Sequence, residues 1–326
     1  MAYITGNRTL CEYEVWAPSH ILIPVLHVII CILGLSGNGI VIFFLWRSRS
    51  KWRAVDIYIG NLALADFIFL LNLPLWATYE ALEYHWIFGR ALCKLSNFLW
   101  LVNMYASIFF LTCLSLHRYL AIVHPQDSSR LLTRSHVHIS LAFIWPLAGL
   151  LSVPELVFNN TFEKDNRTEC SMDFSVVTGE ASKLRWDASL DIMNLTLGFA
   201  LPLLAVIVCY SGIAFTLARH FHVEHRDDER MWRLLKIISL LVLVFSVCWM
   251  PYHVVTIVYS LSKLGPVPPS CGILFFHDLV YPYVECLAYA NSCLNPFLYA
   301  FCDPRFRLKC LHLLHLKSDP PSGSTS

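Results

Sequence analysis

An uninterrupted apolar run occupies residues 21–46 and reads ILIPVLHVIICILGLSGNGIVIFFLW, without a single Asp, Glu, Lys or Arg. A helix that crosses the hydrocarbon core of a bilayer needs about 20 predominantly apolar residues. The run meets that length, and it is too long for the apolar core of a signal peptide, which has roughly 7–15 residues. We therefore interpret it as a first membrane-spanning helix.

Six further apolar runs follow, and the composition agrees with a chain that lies in a bilayer. Hydrophobic residues make up 56% of the 326 residues and charged residues 14%, whereas soluble proteins carry about 25% charged residues. A net charge of +1 gives no reason to expect nucleic acid as a partner. The sequence predicts an all-α membrane protein, a seven-transmembrane helix bundle within 21–301, with spans at 21–46, 55–79, 93–119, 138–156, 190–217, 234–261 and 273–301.

The distribution of basic residues predicts the orientation of the spans. Lys and Arg are concentrated in one alternating set of connections, 47–54, 118–136, 219–233 and 303–326. Because cytoplasmic loops carry the excess of Lys and Arg, we expect this set inside the cell and residues 1–20 outside, as an extracellular tail of a plasma-membrane protein. Three glycosylation sequons fall on the predicted outer side, at Asn7, Asn159 and Asn166.

The segment after the seventh span predicts a helix that lies on the membrane surface. Asp303 can cap a helix and Pro304 suits its first position. Apolar and basic residues alternate around the following turns, so we expect a short amphipathic cytoplasmic helix at 303–316 on membrane lipid, followed by a disordered tail at 317–326. Cys310 on this helix is either a palmitoylation site or a free surface thiol.

Four cysteines lie on the predicted outer side, where oxidising conditions favour disulfides: Cys11, Cys93, Cys170 and Cys271. Four cysteines allow three connectivities, and their positions alone leave these open. A bond between Cys93 and Cys170 would hold the long outer loop over the bundle.

Polar side chains also occur at the depth of the bilayer. Asp66 is the acid placed deepest in a span, and a charge there requires partners or a function. Other spans carry amides and hydroxyls at similar depth, namely Asn38, Asn103, Ser107, Asn291 and Asn295. These groups can form a hydrated pocket for a small cation, or they can hold the bundle together by hydrogen bonds between helices. The residue types leave both interpretations open.

A series of motifs follows in order along the spans: GN at 37–38, LALAD at 62–66, Trp145, Pro202 with Tyr210, CWMP at 248–251 and NPFLY at 295–299. Over essentially the whole chain, this series resembles the rhodopsin-like (class A) G-protein-coupled receptors. The LPLW segment at 73–76 and the outer cysteines resemble the peptide and chemokine branch of that family. Further segments are similar to its apelin-receptor subfamily, among them WATY at 76–79, VNMYAS at 102–107 and FCDPRFR at 301–307.

The resemblance implies roles for individual residues. It implies the disulfides Cys93–Cys170 and Cys11–Cys271. An allosteric sodium ion is the one cofactor it implies, held by Asp66, Asn103, Ser107, Asn291 and Asn295. The residues that rearrange on signalling, according to the resemblance, are His117, Arg118, Tyr119, Tyr210, Trp249, Pro251, Asn295, Pro296 and Tyr299.

The resemblance also implies an extracellular peptide ligand of the basic, apelin type, with a heterotrimeric G protein of the Gi family and arrestin as inner partners. The expected ligand-contacting residues are Glu12, Glu14, Trp76, Tyr79, Glu83, Trp100, Tyr105, Tyr252 and Tyr283. Acids on the outer side, which include Glu155 and Glu163, would attract a cationic peptide. The chain departs from the subfamily at Val15, His85 and Leu274, where acids are expected.

A second departure lies at the cytoplasmic end of the third span. The family has an acid before the arginine at position 118, and this chain has His117. A neutral imidazole cannot form the ion pair that restrains Arg118, and a protonated imidazole would repel it. Three outcomes are open, namely raised basal signalling, altered coupling, or a scavenger or decoy receptor that takes up its ligand without coupling.

An enzyme and a transporter or channel are the alternatives from other functional classes. The chain has none of the HExxH, GxSxG or Walker motifs, so an enzyme is not expected. A transporter or channel is the alternative from another functional class, because the polar groups around Asp66 can line a pathway. The sequence lacks the internal repeat that marks many secondary transporters.

Overall fold

The computed structural model describes residues 19–47, 53–126, 133–164, 166–174, 180–220, 228–264, 271–302 and 306–308. Seven helical spans in this part of the chain are long and apolar enough to cross a membrane, as predicted. We number them in chain order: Ser19–Arg47, Ala54–Ala81, Gly89–Val123, Arg134–Leu151 with Val153–Phe158, Glu180–Leu195 continuing to Leu201–His220, Asp228–Leu264, and Cys271–Cys302. Residues 306–308 are helical, and the rest of the predicted surface helix lies outside the described residues.

The fifth span begins earlier than its hydropathy predicts. It starts at Glu180, whereas the apolar run starts at residue 190. Its first turns carry Lys183, Arg185 and Asp187, so a criterion based on apolar character does not recognise them as helix. These early turns extend the bundle at the end that carries the loop between the fourth and fifth spans.

Two spans depart from a continuous α-helix. The fourth is interrupted at Ser152, and Pro154 follows at the start of the next short helix, where a residue without an N–H is tolerated. The fifth passes through a π-helical segment at Thr196–Ala200, which ends two residues before Pro202. Such segments occur mostly as single turns inside α-helices and are frequent at functional sites.

Small residues bring the first span close to its neighbours. A Cβ atom at Gly34 would lie 2.5 Å from Cδ1 of Leu70, and one at Gly37 would lie 2.8 Å from Cβ of Pro296. Helices in membranes associate through such close backbone approaches, because burial of apolar surface gives little drive between helices in lipid. The first, second and seventh spans therefore form one tightly packed side of the bundle.

A hairpin lies between the fourth and fifth spans. Strand β1 (Asn159–Lys164) pairs with strand β2 (Arg167–Met172) in antiparallel register, with Thr161 opposite Cys170. The disulfide Cys93–Cys170 joins β2 to the third span and confirms that predicted pairing. We call this end of the bundle the hairpin end.

The other predicted disulfide is only partly described. Cys271, the first residue of the seventh span, is disulfide-bonded. Cys11 lies outside the described residues. The pairing of these two cysteines therefore stays a prediction.

Trp86 fixes the hairpin to the connection between the second and third spans. Its backbone N–H donates to the carbonyl of Thr168 at 2.7 Å, and its indole Nε1 donates to the carbonyl of Gly89 at 2.8 Å. The indole is buried against Tyr79 and the Cys93–Cys170 disulfide. These contacts make β2 part of the wall of the bundle at the hairpin end.

Candidate functional site

A cavity of about 420 Å³ opens at the hairpin end of the bundle. Its walls come from the second to the seventh spans and from β2. Four of the predicted ligand-contacting residues line it, namely Trp76, Tyr79, Trp100 and Tyr252. The structure thus brings together aromatic residues from the second, third and sixth spans.

Three other predicted contact residues do not line this cavity, and their contact with a ligand stays a prediction. Tyr105 is fully buried and donates its hydroxyl hydrogen to Oδ1 of Asn194 at 2.8 Å. Glu83 and Tyr283 line a neighbouring pocket of about 430 Å³. Tyr281 reaches the main cavity instead of Tyr283, because residues two apart on a helix point about 200° away from each other.

The neighbouring pocket contains an exposed ion pair between Glu83 and the hairpin. Nη2 of Arg167 lies 2.7 Å from Oε2 of Glu83, and Nη1 of Arg167 donates to the backbone carbonyl of Glu83. The hydrogen bond and the positive charge of Arg167 hold the pKa of Glu83 below its usual range. Glu83 is therefore already paired within the chain. Glu12 and Glu14 lie outside the described residues.

The main cavity is strongly acidic. Its lining contains one lysine, Lys263, and five carboxylates, Glu80, Glu155, Asp187, Asp191 and Glu285. Sequence reasoning identified Glu155 as an outer acid and missed the other four. Asp191 and Glu285 could have been recognised from the sequence, because both lie inside predicted spans. An ionisable residue within a membrane span indicates a functional site.

On the side of the fifth span, the carboxylates already have partners. Nζ of Lys263 lies 3.2 Å from Oδ2 of Asp187 and 4.0 Å above the ring of Tyr259. Ser260 donates a hydrogen bond to Asp191. The one lysine of the cavity lining, Lys263, is thus paired with Asp187.

Aromatic rings connect the cavity to its floor. The buried ring of Trp249 lies 6.1 Å from that of Trp100 and 5.9 Å from that of Tyr252, centroid to centroid. On the other side of Trp249, Phe245 lies at 5.9 Å and Phe199, from the π-helical segment, packs on Phe245. A ligand that displaces Trp100 or Tyr252 therefore changes the packing around Trp249.

Farther along the bundle, the predicted polar pocket surrounds Asp66, whose exposed fraction is 0%. The amide nitrogens of Asn103 and Asn295 donate to its two carboxylate oxygens at 2.9 and 2.8 Å. Three buried oxygens have no hydrogen-bond partner among the described residues, Ser107 Oγ, Asn291 Oδ1 and Asn295 Oδ1. Hydrogen bonds between the helices are therefore present, as one of the two interpretations expected. Three oxygen atoms of the pocket still have no partner among the described residues.

These residues fit a small cation. A hard cation takes oxygen ligands, and the pocket offers a carboxylate together with amide and hydroxyl oxygens. Ser107 lies one turn from Asn103 and Asn291 one turn from Asn295, so the free oxygens share helix faces with the groups that bind Asp66. Within the described part of the chain, no Lys or Arg forms an ion pair with Asp66.

Four of the predicted rearranging residues lie toward the end opposite the hairpin, namely His117, Arg118, Tyr119 and Tyr210. Tyr210 is within electrostatic reach of Arg118. Tyr119 packs so closely on the fifth span that a Cβ atom at Gly212 would lie 2.5 Å from its ring. Nδ1 of His117 is buried and has no hydrogen-bond partner among the described residues. The structure therefore brings Arg118 and Tyr210 together, and it leaves Nδ1 of His117 without a hydrogen bond among the described residues.

The seventh span carries the remaining residues of this set. Tyr299 is buried, and its ring lies 6.2 Å from that of Phe306. Phe306 also contacts Phe44 of the first span, with ring centroids 5.7 Å apart. Pro296 packs against Gly37, as described above.

The predicted glycosylation sites differ in accessibility. Asn159 is buried, and its amide nitrogen, which would carry the glycan, donates to Oε2 of Glu155 at 2.5 Å. Asn166 lies exposed at the turn of the hairpin. The structure therefore argues against Asn159 as an acceptor and leaves Asn166 as the accessible one. Asn7 and the predicted palmitoylation site Cys310 lie outside the described residues.

Residues 37–299 match the family described as 7 transmembrane receptor (rhodopsin family). The chain therefore belongs to the rhodopsin family of seven-transmembrane receptors. It is a multi-pass membrane receptor and not an enzyme, and the transporter or channel alternative is set aside.

Comparison with individual relatives shows which receptors of the family the chain resembles. The chain is 56% identical over 319 residues to Apelin receptor A of Danio rerio, covering 97% of this chain and 88% of that relative. It is 55% identical over 314 residues to Apelin receptor B of the same organism, covering 95% and 88%. It is 37% identical over 307 residues to the type-1 angiotensin II receptor of Bos taurus, covering 94% and 83%. These identities confirm the predicted resemblance to the apelin-receptor subfamily.

Proposed function

We propose that the chain is a cell-surface receptor, with its N-terminus outside, that binds a basic peptide of the apelin type in the cavity at the hairpin end. The observation that carries the proposal is the excess of carboxylates in the cavity, where five acids face one lysine that is already paired. A cationic peptide would be attracted to this field and held by charge-assisted hydrogen bonds. The two Danio rerio relatives, which are apelin receptors, support the same class of ligand.

The proposed mechanism is a shift between two arrangements of the bundle. A peptide end in the cavity contacts Trp100 and Tyr252, whose rings pack on Trp249. The sixth span contains Pro251 next to this contact, and a proline inside a helix permits a bend. The opposite half of the span then moves away from Arg118 and Tyr210. The peptide drives this change only by binding the open arrangement more tightly.

A sodium ion is the proposed allosteric ligand of the Asp66 pocket. When bound, it would neutralise the carboxylate. Asp66 and Asn103 would then hold the second and third spans together with Asn295 of the seventh. Because this contact restrains the seventh span, it would favour the closed arrangement.

On the inner side, we propose a heterotrimeric G protein, of the Gi family, and arrestin as partners. The second candidate function is a scavenger or decoy receptor. It is favoured by His117, which stands where the family has a restraining acid and makes no hydrogen bond through its buried Nδ1 within the described residues.

The test uses membranes from cells that express the full chain. Apelin peptides should bind and accelerate nucleotide exchange on Gi, and in intact cells they should lower cyclic AMP and recruit arrestin. Binding and uptake without nucleotide exchange on any G protein would establish the decoy function instead. If no apelin peptide binds at saturating concentration, the proposed ligand class is wrong.

A matched pair of variants tests the role of the cavity acids. Asp191→Asn removes a charge inside the cavity, and a lost charge-assisted contact should weaken peptide binding about tenfold to a hundredfold. Glu163→Gln removes an exposed charge on β1, outside the cavity lining, and should leave the affinity within about twofold. Equal effects of the two changes would indicate attraction at long range without contact in the cavity.

A further inference from the structure

A separate group of titratable side chains lies on the wall formed by the first, second and seventh spans. It consists of His27, Glu80 and Glu285. Glu80 and Glu285 line the cavity and are close enough to each other to interact electrostatically. His27, which is 1% exposed, lies behind them, with its Nδ1 3.1 Å from Oε2 of Glu80. Oε1 of Glu285 accepts a hydrogen bond from the hydroxyl of Tyr289 at 2.8 Å.

Several polar atoms of this group are left without a hydrogen bond. Both ring nitrogens of His27 and Oε2 of Glu80 are buried and have no hydrogen-bond partner among the described residues. The 3.1 Å contact between them brings opposite charges together but is not aligned as a hydrogen bond. Oε2 of Glu80 is thus directed at His27, while the carboxylate, which is only 6% exposed, also borders the cavity. On the cavity side no described residue donates a hydrogen bond to it, although nearly all buried polar groups in native proteins are satisfied.

The charges of the group do not balance. A protonated His27 can compensate one carboxylate, and a second carboxylate then remains. Within the described part of the chain, no lysine or arginine forms an ion pair with Glu80 or Glu285, and Lys263 is engaged by Asp187. An unpaired carboxylate in a buried position is strongly unfavourable. The two carboxylates are therefore balanced either by one more proton or by one cation from the cavity.

The residues around the two carboxylates suit a flat or compact cation. Trp76 lies one helical turn before Glu80, and Tyr281 lies one turn before Glu285, so each acid shares a helix face with an aromatic ring. Both rings line the cavity as well. A guanidinium can form paired hydrogen bonds with carboxylates and stack on aromatic faces, and an ammonium can form the charge contact alone.

We propose that Glu80 and Glu285 form a subsite that takes one cationic group of the ligand, a guanidinium or an ammonium, between the second and seventh spans. This inference rests on the proposed function for the identity of the peptide and assigns the place where one of its positive charges binds. His27 stays behind the subsite as the second cation. The bound group links the two spans through their carboxylates.

The first experiment needs no peptide. The thermal stability of the purified receptor is measured with L-argininamide, L-lysinamide or L-citrullinamide, the last being the uncharged match of the first. L-argininamide should raise the melting temperature and L-citrullinamide should not, and the response to L-lysinamide distinguishes a guanidinium site from an ammonium site. The increase should be lost in Glu80→Gln and in Glu285→Gln, which are separate variants, so a folding defect in one leaves the other as the test.

A control locates the effect, which should persist in Glu163→Gln, a variant that removes an exposed carboxylate of β1 outside the cavity lining. An equal response to L-citrullinamide, or a response to L-argininamide that survives in both glutamine variants, would overturn the subsite.

The second experiment uses apelin peptides in which each Arg is replaced in turn by citrulline and each Lys by norleucine. Glu80→Gln and Glu285→Gln should weaken the unmodified peptide about tenfold to a hundredfold, and one neutral analogue should show no further loss on these variants. If the peptides bind but no analogue couples to either glutamate, the subsite is wrong and the proposed function stands. If no peptide binds while L-argininamide still acts through both glutamates, the ligand class is wrong and the subsite stands.

Discussion

Asn103 donates a hydrogen bond from its side-chain amide to Oδ1 of Asp66 over 2.9 Å, which joins the third span to the second at a fully buried carboxylate. Asn295 binds the other oxygen from the seventh span. Two amides thus orient the carboxylate without neutralising it. A cation in this pocket would complete the contact, and its presence should be visible in ligand affinity.

We expect Asp66→Asn to abolish the dependence of apelin-peptide affinity on sodium. In the unmodified receptor, sodium should weaken agonist binding by a factor typical of allosteric coupling, about fivefold to 150-fold, because it favours the closed arrangement. The measurement compares competition binding in sodium chloride and in N-methylglucamine chloride. Thr112→Ala is the control, since the hydroxyl of Thr112 donates to the Ile108 carbonyl of its own helix. A sodium effect that persists in Asp66→Asn would place the ion elsewhere.

Replacement of His117 by Asp should lower nucleotide exchange in the absence of ligand. An aspartate at this position can form an ion pair with Arg118, which the imidazole cannot do. The readout is basal exchange on Gi at matched receptor expression. His138→Asp, at an exposed position at the start of the fourth span, adds the same charge away from Arg118 and should change nothing. Unchanged or increased basal exchange in His117→Asp would show that the lost acid does not explain the activity of this chain.

Two glycine substitutions should have opposite effects on stability. In Gly37→Ala the new Cβ would lie 2.8 Å from Cβ of Pro296, and this overpacking should destabilise the protein by about 1–3 kcal/mol. In Gly149→Ala the new Cβ meets nothing within 4 Å, and a helical alanine should stabilise by about 0.5–1 kcal/mol. Melting temperatures in detergent should shift in opposite directions. The same shift in both variants would mean that the close approach of the first and seventh spans is not maintained.

Glycosylation of the hairpin is expected at Asn166 and not at Asn159. Asn166→Gln should remove one glycan, seen as a faster band that peptide N-glycosidase shifts less than the parent band. Asn159→Gln should leave the glycan content unchanged, because its amide nitrogen is buried against Glu155. A glycan lost from Asn159→Gln would require the hairpin to be modified before it packs.

The number and order of the spans could be predicted because each contains about 20 apolar residues in sequence, which is a local property. The ends of the spans depend on tertiary structure. The first turns of the fifth span contain charged residues such as Asp187, which stay helical because they face the cavity and the surface at the hairpin end. The π-helical segment at Thr196–Ala200 has no counterpart in the apolar pattern and could not be predicted from it.

The sequence predicted the polar residues around Asp66 better than the residues that line the cavity. Motifs located Asp66, Asn103 and Asn295, and the structure brings them within hydrogen-bonding distance. Residues on the cavity wall depend on the rotation of each helix about its axis, which the sequence did not fix. For that reason Tyr283 was expected in the cavity where Tyr281 lies.

The stacked pair of Tyr259 and His277 joins the sixth and seventh spans at the hairpin end, with ring centroids 3.8 Å apart, and Lys263 ties the sixth span to the fifth. These contacts hold one end of the sixth span against its two neighbours. If Pro251 is the pivot, these contacts keep the part of the sixth span between Pro251 and Lys263 still. The rest of the span then swings as a rigid rod, and its displacement grows with distance from Pro251. A small shift of the sixth span beside the ligand would then produce a larger displacement at the opposite face of the bundle, while the opening of the cavity keeps its width.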